Sequence, residues 1–71
     1  MTDAEAKLVR MATEIHQFFR HQGDAAAPAA ANHIRQFWAP PMRADFLAIA
    51  KREGDSLGEP AQSIAAALST A

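Results

Sequence analysis

Alanine supplies 18 of the 35 hydrophobic residues in this chain of 71, and that proportion governs what it can fold into. Only 17 apolar residues are larger: four Phe, four Leu, four Ile, three Met, one Val and one Trp. So thin a core points toward a chain that needs a partner surface to be firmly folded. Leu, Ile, Val and Phe together make 13 of 71 residues, a level also found in disordered chains, but a net charge of −1 lacks the self-repulsion that accompanies disorder. Val, Ile and Thr number eight, and no stretch alternates with period two, which speaks against a sheet.

Helical punctuation recurs along the chain. Thr2-Asp3-Ala4-Glu5 and Ser56-Leu57-Gly58-Glu59 both fit the S/T-x-x-E capping box, where hydroxyl and carboxylate each satisfy an orphaned N–H at a helix start. Gly23 and Gly54 stand where a left-handed glycine would close the two longer helices. Pro28, Pro40-Pro41 and Pro60 suit first turns. The intervals predict helices over 3–22, 28–38, 41–53 and 59–69, with the alanine-rich stretch 24–32 only partly helical.

Periodicity agrees. Leu8, Met11, Ala12, Ile15, Phe18 and Phe19 fall within an arc of about 120° on the first helix. Ala30, Ile34, Phe37 and Trp38 make one stripe on the second, and Met42, Phe46, Ile49 and Ala50, broadened by Leu47, make one on the third. Leu57, Ala61, Ile64, Ala65 and Leu68 do so on the fourth. The expected fold is all-α, a small bundle of three to four short helices occupying 1–71 as one domain.

Composition excludes several chemistries. Without cysteine the chain holds no iron–sulfur cluster, thiolate zinc site, Cys nucleophile or disulfide. A pI near 6.2 gives no global attraction to phosphate backbones or anionic lipid. The third helix offers Arg43, Lys51 and Arg52 to DNA, but Asp45 and Glu53 offset them. No apolar run reaches membrane-spanning length, and Met1-Thr2-Asp3-Ala4-Glu5 is acidic where a secretory signal would be basic and then apolar. The expectation is a soluble cytoplasmic protein bound to neither nucleic acid nor membrane.

Candidate sites are few. His16 and His21 lie five apart, about 140° around a helix, so they cannot share a metal from one face, and His33 would have to join from another helix. His16 and His33 flank apolar stripes, as an amphipathic ring with a wet tip does. No Ser-His-Asp set, Glu-x-x-His or glycine-rich phosphate loop is present, so neither catalytic, cofactor-binding nor metal-ligating residues are assigned. Arg10 and Glu14 form a weak i, i+4 surface pair. Arg43 falls inside the broad apolar arc of the third helix, where its guanidinium either snorkels along Phe46 or Leu47 to water or pairs with a group on another protein. The doublets Phe18-Phe19 and Phe37-Trp38 are the strongest functional signal. Helical neighbours diverge by about 100°, so both members of a doublet cannot face one narrow seam. Aromatics with Met and Arg are the residues that dominate interface energetics, although a bundle poor in Leu and Ile also needs aromatics as filling.

Two blocks carry a family signature: Lys7-Leu8-Val9-Arg10-Met11-Ala12 running into Ile15 and Phe18-Phe19, then Asn32-His33-Ile34-Arg35-Gln36-Phe37-Trp38-Ala39-Pro40 with Met42-Arg43. This resembles the small delta subunit of cytoplasmic NAD-dependent formate dehydrogenases, multisubunit molybdenum or tungsten enzymes. Pro41 departs from the pattern, since similar members often carry a basic residue there. The resemblance implies a non-catalytic accessory subunit that docks on the large catalytic subunit within a hetero-oligomer and supports assembly, stability or molybdenum-cofactor loading. It implies no cofactor on this chain, and the molybdenum or tungsten pterin, iron–sulfur clusters, FMN and NAD on partner subunits. A transient cofactor-insertion chaperone and an unrelated helical adaptor are the alternatives. Within the matched blocks Leu8, Met11 and Ile15 are assigned to internal packing. Phe18, Phe19, Phe37, Trp38, Met42 and Arg43 are assigned to contact with the large subunit.

Overall fold

Thr2 starts the first helix. Its hydroxyl accepts from the Glu5 N–H at 3.2 Å while the Glu5 carboxylate accepts from the Thr2 N–H at 3.0 Å, so the expected capping box is complete. In this computed structural model, residues 1–69 are described. Residues 70 and 71 of the expected 1–71 domain lie outside the described residues. Within the described residues the chain forms α1 (Asp3–Phe18), α2 (Ala26–Phe37), α3 (Pro40–Glu53) and α4 (Glu59–Ser69), with no strand. The fold is a small all-α bundle.

The helix boundaries differ from expectation where turns tighten. The α-helical ladder of α1 stops at Phe18, not residue 22, and Arg20–Ala25 winds as a 3-10 segment. Gly23 reverses the chain inside that segment with φ 59° and ψ −124°, a region that side-chain-bearing residues avoid. It therefore makes the turn between α1 and α2 without standing directly at the end of α1. α2 begins at Ala26, two residues earlier than predicted, which leaves Pro28 in the first turn where its missing N–H has no partner to lose. Trp38 leaves the helix in an extended conformation, and α3 starts at Pro40 with both prolines in its first two positions. Gly54 ends α3 at φ 57°, its N–H donating to the Ala50 carbonyl.

The second expected capping box is absent. Gly54–Leu57 continues as a 3-10 turn that carries Ser56 back toward α3, so its hydroxyl donates to the Glu53 carbonyl. Gly58 directly precedes α4, and its carbonyl accepts the Gln62 N–H at 3.2 Å. Leu57 accordingly lies in the turn and not on α4.

Alanine builds the interior. α2 buries Ala26, Ala30, Ala31 and Ile34, and α4 buries Ala61, Ile64, Ala65 and Leu68. These two helices make the most extensive contact of the bundle. Small side chains let their backbones approach closely, which is how a chain with few large apolar residues reaches interior density. α1 adds Ala12, and α3 adds Phe46, Ile49 and Ala50. Polar clasps tie the ends: Arg35 donates to the Ala67 carbonyl at 2.7 Å and to Leu68 at 3.4 Å, holding α2 to the last turn of α4. The Gln62 amide donates to the carbonyls of Ala50 and Gly54, joining α4 to the end of α3. Arg52 grips both Glu5 oxygens at 2.9 and 3.1 Å, closing the start of α1 against the end of α3.

Candidate functional site

Where α1 ends, the two members of the Phe18-Phe19 doublet separate as helical geometry requires. Phe19 turns inward to half-burial against the core, and Phe18 is left 75% exposed. Their rings still meet edge to face, centroids 5.2 Å apart and planes at 85°. On α2, His33 and Phe37 stand at i and i+4, so they share a face. Their rings lie 4.6 Å apart, and His33 also meets Phe19 at 6.4 Å. Four rings, Phe18, Phe19, His33 and Phe37, thus form a continuous row.

The row borders an open groove of about 450 Å³ between the later turns of α1 and those of α2, completed by Met11, Glu14, Ile15 and Trp38. Phe37, at 71% exposed, stands at the rim. Trp38 is buried, and its ring abuts Phe46 edge-on at 6.0 Å, so the floor of the groove is braced by the core. Glu14 is the single carboxylate on the lining among the described residues, and it faces Arg10 at 3.9 Å with both side chains in solvent.

Four of the six residues assigned from sequence, Phe18, Phe19, Phe37 and Trp38, therefore meet at one groove. Met42 is half-buried against the core. Arg43 lines a different groove of about 320 Å³ with Arg35, Pro40, Ala44, Leu47 and Leu68. His33 joins the aromatic row without having been assigned to it. Its spacing of four from Phe37 is the signal that could have placed it there. Met11 and Ile15, assigned to internal packing, touch the core and also line the groove.

Elsewhere the side chains hold the fold. Hydrogen bonds from Arg52, and then from the Thr2 N–H, stabilise the ionised Glu5 carboxyl and lower its pKa to about 2. Arg52 is pushed up in turn by Glu5 and Glu53. Among the described residues no group of three or more His, Cys, Asp or Glu is placed to hold a metal ion, and no helix is long and apolar enough to cross a membrane. An open apolar groove edged by exposed rings suits the capture of apolar side chains from another protein.

Fold and groove together define a small helical bundle with an open, aromatic-lined groove. The family of the NADH-dependent formate dehydrogenase delta subunit FdsD matches residues 7–66, and the chain belongs to that family. The match takes in both sequence blocks that carry the resemblance. No curated protein and no solved structure matches the chain.

Proposed function

We propose that this chain is a non-catalytic accessory subunit of a cytoplasmic NAD-dependent formate dehydrogenase, docking on the large catalytic subunit through the aromatic groove and thereby supporting assembly, stability or molybdenum-cofactor loading. The observation that carries this reading is a contrast of size: among the described residues seven of the thirteen buried apolar side chains are alanine, while Phe18 and Phe37 stand 75% and 71% exposed. Large rings in solvent are an unfavourable arrangement for a chain that acts alone, and covering them supplies a partner with a desolvated aromatic anchor. In this reading the molybdenum or tungsten pterin, the iron–sulfur clusters, FMN and NAD belong to partner subunits, in keeping with a chain that has no cysteine.

Copurification tests it. The tagged chain should recover the large subunit in fixed ratio from mature, active enzyme. The double variant Phe18→Ala/Phe37→Ala should lower that recovery by about tenfold or more, leaving formate KM unchanged in whatever complex survives. Trp38→Ala should also lower recovery, but through the floor of the groove and the core together. A stable chain that ignores the large subunit would sink the reading. Absence of the chain from mature enzyme, with cofactor-poor but assembled protein in its deletion, would replace it by the transient chaperone.

A further inference from the structure

Arg43 is the unresolved charge of this bundle. Among the described residues two arginines are half-buried, and their situations differ. Arg35 is held by the carbonyls of Ala67 and Leu68. Arg43 is half-buried; its backbone N–H donates to the Ala39 carbonyl, and its guanidinium makes no hydrogen bond or ion pair among the described residues. Both arginines line one groove, and among the described residues its remaining lining of Pro40, Ala44, Leu47 and Leu68 is apolar and contains no carboxylate. Asp45, two positions from Arg43, projects about 200° away around α3 and is exposed. Neutral carbonyls leave the charge of Arg35 in place, and the groove opens beside the first turn of α3, the positive end of that helix. A region carrying two positive charges thus stands on a chain whose net charge is −1.

An arginine half-buried beside apolar side chains is matched by a carboxylate that brings an apolar neighbour with it. We infer that this arginine groove is a second anchor point, taking a segment of the large subunit in which an aspartate or glutamate lies beside an apolar side chain. The identity of the partner rests on the proposed function. Position supports a shared occupant: Trp38 lines the aromatic groove and Pro40 the arginine groove, so the two open on either side of the corner between α2 and α3.

The experiment is recovery of the large subunit by the full-length tagged chain at salt concentrations between about 50 and 300 mM. Arg43→Glu should lower recovery by about tenfold or more at low salt, and wild-type recovery should fall as salt rises. Ala44→Glu places a negative charge on the same lining without touching an arginine and should act alike, whereas Ala44→Lys should bind as wild type. Circular dichroism melts of the free variants identify any that misfold, and Ala44→Glu decides if Arg43→Glu does. Wild-type recovery by both glutamate variants at every salt overturns the anchor while leaving the aromatic reading intact, provided Phe18→Ala/Phe37→Ala still loses the partner. Failure of the wild-type chain to hold any large subunit overturns both. A free chain that is dimeric by light scattering and becomes monomeric in Arg43→Glu assigns the groove to a second copy and overturns the inference.

Discussion

The α2–α4 seam and the α1–α2 groove are built from opposite materials. The seam is made of Ala30, Ala31, Ala61 and Ala65, none more than 6% exposed, and the groove is edged by Phe18 and Phe37, each more than 70% exposed. Folded chains bury alanine readily, but they usually bury phenylalanine as well. The difference teaches that closeness of approach, not side-chain volume, gives this interior its density. Once alanines have closed the seam, the aromatic area at the end of α1 and on α2 is not needed inside, and it is available to a partner.

Exchanging one residue type at two places gives the largest contrast. Phe46 is fully buried and Phe37 is exposed. Phe46→Ala should cost about 3–5 kcal/mol of stability, a large share of the roughly 4–11 kcal/mol expected of a chain this size. Phe37→Ala should stay within about 0.5 kcal/mol of wild type and act on complex recovery instead. Urea unfolding of the free chain measures both, and equal losses would place Phe37 in the fold's own core and dissolve the contrast.

Next in size is overpacking of the seam. Ala61→Leu inserts a branched side chain where α2 and α4 approach and should destabilise by about 1–3 kcal/mol. Ala66→Leu, on the exposed side of the same helix, should change the melting temperature little. A tolerant Ala61 would mean that the seam has slack and that alanine is not required for close approach.

Most of the fold was legible in the sequence because caps and prolines act locally. Thr2 and Glu5 interact within one turn, and Pro40 fixes its own φ and the conformation of Ala39, so the start of α1 and of α3 can be read from a few residues. The end of α1 was not legible, because an α-helix and a 3-10 turn differ by one hydrogen-bond register that Arg20, His21 and Gln22 do not specify. Ser56 was misleading for a similar reason: its pattern fits a cap, but Gly54 turns the chain first and gives the hydroxyl the Glu53 carbonyl. Of the groove, the divergence of Phe18 from Phe19 follows from helical angles alone. Its union with His33 and Phe37 depends on how α1 meets α2, which no local pattern encodes. Arg52 and Glu5, 47 positions apart, were hidden by the same distance.

The N-terminal cap gives a smaller effect that separates α1 from the seam. Thr2→Ala removes the acceptor for the Glu5 N–H and should cost about 1 kcal/mol. Hydrogen exchange should rise in the first turns of α1 and stay unchanged at Ala30 and Ala61. Uniform loss of protection would show that α1 and the seam unfold as one unit.

Acidification should give the smallest effect, because Glu5 and Arg52 meet at the surface and salt screens them. Glu5 has its pKa lowered from 4.5 to about 2 in the folded chain. A carboxyl held below its unfolded value binds fewer protons folded than unfolded, so its stabilisation is complete above about pH 4.5 and is lost as pH falls toward 2. Arg52 keeps its charge throughout that window, since Glu5 and Glu53 push its pKa further up. The melting temperatures of wild type and Glu5→Gln should therefore differ at pH 6 and converge by about pH 2. Since this clasp holds the start of α1 and none of the seam, acid should loosen the helix that carries Phe18 before it reaches the alanines. Equal melting temperatures at pH 6 would mean that Glu5 acts only through its cap on Thr2, which a glutamine side chain also makes, and that the groove owes nothing to the ion pair.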